Sequence, residues 1–179
     1  MYLKTVDPEE PADLPENTLA LGDAWPDPWS PPGATTEGLT FGFSRDANDI
    51  TIEEQPSPVD TRTNSLEFTM DCTLSEDTIE TMRIAYGGGV VTTTAAGAGT
   101  YGYQDLVISD EMEDFAFGFE GENQFGRPRR VVVPVVKSVG DIQTAYRRAD
   151  SQRSYEVSFK SLVALKDVKI RNITAAPTT

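Results

Sequence analysis

The sequence predicts a mainly β protein: a β-sandwich or partly closed β-barrel flanked by one short α-helix. Three observations carry this. Seven to nine segments alternate apolar and polar residues with a period of two. Only one stretch, Asp77 to Tyr86, has helical spacing. Breaks rich in glycine, proline and aspartate separate the segments. At 179 residues the chain is one domain's worth. Such a length buries roughly 70% of its unfolded surface in a single core.

Along the chain, residues 1–32 form a Pro-rich, acidic arm, 33–170 the β domain and 171–179 a frayed tail. Prolines at 8, 11, 15, 26, 28, 31 and 32 exclude a regular helix or a central strand from the arm. Trp25 and Trp29 near its end are expected to dock, either on their own domain or on a neighbouring copy. GLTFGFSR places Leu39, Phe41 and Phe43 on one face, and DITIEE places Ile50 and Ile52 together. Glu54 to Asn64, with Pro56, Pro58 and Asp60, reads as a loop. The clearest strand is Ser65 to Leu74. Leu66, Phe68, Met70, Cys72 and Leu74 share one face; Ser65, Glu67, Thr69, Asp71 and Thr73 share the other. Cys72 therefore reads as a small core residue.

Asp77 suits the helix N-cap, with Glu80 reaching back from the third helical position. Ile79, Met82 and Tyr86 form the apolar stripe, and Gly87 to Gly89 end the helix. Val90 to Thr94, Tyr101 to Asp110, Phe115 to Glu120 and Gln152 to Leu165 continue the strand pattern around a flexible Ala95 to Gly99 break. Arg129 to Val139 is a continuous apolar run whose Pro134 requires an edge or a bulge.

Composition narrows the function. The chain has no histidine, which removes imidazole metal ligands and the Ser-His-Asp and Cys-His mechanisms. A single cysteine permits no internal disulfide and no cysteine-built zinc site. No apolar run is long enough to span a bilayer. The opening MYLKTVDPEEP is acidic and Pro-broken, unlike a signal peptide. The net charge of −14 opposes binding to nucleic acid or anionic membranes. Gly87 to Gly89 follows a helix, whereas a phosphate loop precedes one and carries a lysine. Asp110, Glu111, Glu113 and Asp114 lack the spacing of a helix–loop–helix calcium site and read as a solvated, mutually repelling loop. No spacing points to the paired carboxylates of a hydrolase. The expectation is a non-enzymatic protein with no cofactor and no metal.

Charge is divided along the chain. Residues 1–126 hold 25 acidic and 4 basic residues, a balance of −21; residues 127–179 hold 4 and 11, a balance of +7. Either both parts pair within one fold, or an acidic surface of one copy meets a basic surface of the next. The second arrangement is heterologous and generates rings or open filaments.

The span from Gly33 to Gly89 resembles the amino-terminal half of the major tail tube proteins of long, non-contractile-tailed bacteriophages. The matching elements are Gly33, Thr35 or Thr36 and Gly38 at the entry, then the acidic strand Ile50 to Glu54. Pro58, Val59 and Asp60 follow, then the alternating strand, then LSED opening the helix. The closing strands are also similar, so the resemblance covers residues 33–165. It implies hexameric rings stacked head to tail into a hollow tube that conducts DNA without binding it specifically. It also implies tape-measure, tail-tip and tail-terminator partners, no membrane, and a place in the virion tail after assembly in the host cytoplasm. On this reading Ser65, Glu67, Thr69, Asp71 and Thr73 line the lumen. Contacts between subunits or rings fall to Trp25 and Trp29 of the arm, to Glu54, Asp60 and Arg62 of the loop, and to Arg127, Arg129, Arg130, Arg147 and Arg148. A capsid decoration or adhesin module of the same β class is the alternative.

Overall fold

The computed structural model describes residues 1–7, 12–15, 19–20, 22–53, 55–122, 124–142, 154–161 and 168–174. Its elements are β1 (Tyr2–Thr5), β2 (Thr35–Ile52), β3 (Gln55–Leu74), α1 (Ile79–Ala85), β4 (Val90–Thr94), β5 (Tyr103–Val107), β6 (Phe115–Glu122), β7 (Pro128–Ser138), β8 (Tyr155–Ser161) and β9 (Lys169–Asn172). One antiparallel sheet runs β1-β6-β7-β8-β3-β2. β9 pairs with the first part of β7, where Arg129 faces Asn172, and β8 pairs with its end, where Ser138 faces Phe159. β4 and β5 form a separate two-stranded ribbon.

The fold is mainly β and sandwich-like, and its sheets do not close into a barrel. Phe117 of β6 packs on Phe159 of β8 with ring centroids 5.6 Å apart. Phe119 of β6 lies 5.8 Å from Phe41 of β2, although three strands separate β6 from β2 in the sheet order. The sheet therefore curls over itself, and its apolar faces meet in one core. Met70, Cys72 and Leu74 are buried there together with Val133, Val136 and Val157. Each such fully buried aliphatic or aromatic side chain contributes about 1.5–3 kcal/mol.

Pro134 sits where Phe115 and Phe117 of β6 face Val136 and Val133 of β7, two steps against three. The extra residue is a bulge, which removes the need for a proline N–H in an otherwise interior strand.

α1 is capped differently from its sequence pattern. Thr78 is the N-cap, and its hydroxyl accepts the Thr81 N–H at 3.1 Å. Asp77 is drawn away by the Tyr155 hydroxyl, which donates to it at 2.7 Å, and Glu80 pairs with Arg83. Ser138 of β7 donates to the Ala85 carbonyl and pins the helix to the sheet, while Thr81 donates to the Pro32 carbonyl of the segment leading into β2.

Half of the acidic loop departs from the expected set of repelling charges, while Asp110 and Glu111 are exposed as expected. Glu113 pairs with Arg83 and accepts the Gly89 N–H, while Asp114 lies 3.6 Å from Lys137. Burial works against the Arg83 charge, but Glu80 and Glu113 outweigh it and hold the guanidinium pKa above its ordinary value.

The largest departure concerns Glu54 to Asn64. Apart from Glu54, which is outside the described residues, this stretch is strand, and β2 and β3 form one continuous hairpin. Pro56 and Pro58 fall between the pairs Ile52–Gln55 and Ile50–Asp60, where the register slips. In that irregular stretch a proline has no ladder bond to lose.

Candidate interaction surfaces

Three surfaces follow from this architecture: a protruding arm, a polar sheet face and a strapped amino terminus.

The arm is the outer part of the β2–β3 hairpin. Every residue from 43 to 66 whose side chain is described is exposed. About ten residues of each strand thus extend beyond the core, roughly 30 Å at the usual rise. Phe43 and Leu66 are exposed near its root, and Ile50, Ile52 and Val59 near its tip. Polar cross-strand bonds hold its register: Thr61 donates to Asp49 at 2.8 Å and Asn64 to Asp46 at 3.3 Å. Asp60 and Arg62 both lie on this arm and are exposed.

The polar face belongs to β2, β3 and β8. Thr69, Asp71 and Thr73 stand opposite Lys160, Ser158 and Glu156. Glu67 is half-buried and accepts Lys160 at 2.7 Å; Ser65 and Asp71 are exposed, and Thr69 and Thr73 half-buried. The five residues therefore share one continuous face, as their alternation requires. Asp71, Asp141 and Glu156 border an open depression of about 480 Å³ on it. This is a negatively charged polar wall. On the reverse side of the same strand, burial pushes the Cys72 thiol up to about 11.

The amino-terminal segments strap β6 and β7 on the face turned away from the main core. Leu3 and Ser30 exchange backbone hydrogen bonds at 2.8 and 2.9 Å, covering part of the β1 edge. Trp25 and Trp29 are buried against Ala116 and Val132, and Trp25 stacks on Tyr2 with centroids 4.8 Å apart. The Lys169 ammonium and the Leu14 N–H hold the Asp13 carboxyl below the usual carboxylate range.

Three residues assigned to contacts between copies accordingly lie inside the chain's own fold. Trp25 and Trp29 fill their own domain's second core. Arg130 is 0% exposed and bonds to Glu120 and to the Leu19 and Ala20 carbonyls. A charged residue within an apolar run reads as a surface basic group. Its half-buried partner Glu120 lies ten residues away, directly opposite on β6, so an acid and a base facing each other across two successive strands were the available signal. Arg127 and Arg129 are exposed beside the β6–β7 turn. Arg147 and Arg148 lie outside the described residues.

Comparison with protein-family models and with curated proteins finds no match. Among the described residues, no helix is long and apolar enough to cross a membrane.

Proposed function

We propose that this chain is a structural subunit of a bacteriophage tail, polymerising as stacked rings into a hollow tube that conducts DNA during ejection. Six subunits per ring, tape-measure, tail-tip and tail-terminator partners, and assembly in the host cytoplasm follow from the family resemblance.

The observation that carries the reading is the arm. A two-stranded ribbon exposed on both faces is marginal in water, and it gains stability when a partner covers it. Ile50, Ile52 and Val59 at the tip give such a partner apolar surface to bury. The β2 edge runs along the whole arm with β3 as its sheet neighbour on one side, so its outer backbone groups suit pairing with another chain. The polar wall around Asp71 and Glu156 repels phosphates and so favours passage of DNA over binding.

Negative-stain electron microscopy beside sedimentation, over rising concentration and at two salt levels, tests this. Hollow tubes or stacked rings are expected, and replacing residues 48–62 by a short turn should leave the protein folded but dispersed. A compact monomer at every concentration, even with a tail-tip initiator added, would overturn the proposal in favour of a decoration or adhesin module.

A further inference from the structure

The protomer has two chemically different ends. β6 runs from Phe115 to Glu122 and returns as β7, so the turn at residues 124–127 lies about 24 Å of strand away from Phe115. At the Phe115 end the chain joins α1 and the β4–β5 ribbon: Glu113 N–H donates to the Gly87 carbonyl at 2.8 Å, and β4 begins at Val90. β3 runs the same way as β7, because each is antiparallel to β8. The β2–β3 arm therefore points to the same end as the β6–β7 turn, away from the ribbon.

The ribbon end is apolar and acidic. Its inner residues Val91 and Leu106 are half-buried, but Val90 and Val107, directly opposite one another, are 65% and 63% exposed. Asp105 shares their face, and Asp110 and Glu111 follow in the exposed connection; residues 90–114 contain no lysine or arginine. The turn end presents the complement. Phe125 is 77% exposed at its tip, with exposed Arg127 and Arg129 beside it and Glu122 as the one acid of residues 120–129 that is exposed.

We infer that the β6–β7 turn of one copy docks on the outer face of the β4–β5 ribbon of the next. Phe125 covers the Val90–Val107 pair while Arg127 and Arg129 face Asp105, Asp110 and Glu111. The two surfaces differ and lie at opposite ends, so the contact is heterologous and propagates along an axis instead of closing a dimer. This rests on the self-assembly reading and names the stacking contact within it.

A charge-exchange pair tests it in the full chain. One variant carries Arg127→Glu and Arg129→Glu; the other carries Asp105→Arg, Asp110→Arg and Glu111→Arg. Each alone places like charges at both ends and should raise the concentration needed for assembly about tenfold or more, while an equimolar mixture restores assembly by alternation. Phe125→Ser should weaken assembly similarly while its circular dichroism shows the β fold retained. If wild type assembles and the single variants assemble equally well, or if mixing restores nothing, the contact is overturned and the assembly reading stands. If wild type does not assemble under any condition, both fall.

Discussion

The Arg130 Nε lies 2.7 Å from Glu120 Oε1, with the guanidinium wholly buried and the carboxylate nearly so. The same guanidinium donates to the Leu19 and Ala20 carbonyls, and Glu120 also accepts the Gly22 N–H at 3.0 Å. The pair thus ties the amino-terminal strap to β6 and β7. Arg130→Ala leaves a buried carboxylate and two carbonyls without their donor, at a cost of about 3–5 kcal/mol. Glu120→Gln keeps an oxygen for these donors and should cost less. Denaturant unfolding measures both. Because the chain's two tryptophans both sit in the strap, a red shift of their emission in Arg130→Ala reports its release.

Gly118 is the floor beneath that strap. A methyl group built there falls on the Trp25 ring and 3.2 Å from Trp29. The rings are themselves locked edge to face, with centroids 5.0 Å apart, so neither can yield freely. Gly118→Ala should therefore destabilise by about 1–3 kcal/mol through overpacking. The same red shift should accompany it. An unchanged melting curve and emission would mean that the strap is held elsewhere.

Cys72 makes stability fall in alkali. Its thiol ionises near 9.0 when unfolded but only at about 11 when folded, because burial disfavours the thiolate. Between those values the unfolded state binds fewer protons, so unfolding becomes easier as pH rises. The contribution is at most about 2–3 kcal/mol at 1.36 kcal/mol per unit. It is absent below pH 9, and Cys72→Ala should lack this part of the alkaline decline. Measuring unfolding free energy against pH for both proteins isolates it. Equal slopes above pH 9 would refute the assignment.

Residues whose pattern reports burial were the legible ones. Met70, Cys72 and Leu74 alternate with Thr69, Asp71 and Thr73 because one sheet face is dry and the other wet, and the structure keeps that division. The outer return strand of the arm, read as a loop over 54–64, was illegible for the converse reason. The arm's root and the Ile50–Ile52 pair did read as strand, but between 55 and 64 every described side chain is exposed, so the strand imposes no alternation there, and Pro56 and Pro58 carry the chemistry of a loop. A bulge adds to this: Asp46 faces Ser65 but Ala47 faces Thr63, which shifts the parity of β3 by one. Arg130 was misplaced because residue type outweighed position. It stands next to Val131 to Val133 on a strand whose both faces are covered, where even the charged member must point into the protein.

The polar wall offers the final prediction. Asp71 is exposed on it, and Glu67 holds Lys160. Asp71→Lys places a cation where the tube reading requires repulsion of phosphates. Glu67→Lys does the same and also frees Lys160, so its effect should be the larger. Both positions are away from the core, and assembly should persist. Short duplex DNA should then cosediment with tubes of either variant but not with wild-type tubes, and the binding should decline steeply with salt, since neutralising phosphates releases counterions. Repetition around a ring multiplies each added charge. If duplex DNA ignores both variants at low salt, this face does not line the channel, and the ribbon or arm faces become the surfaces to charge next.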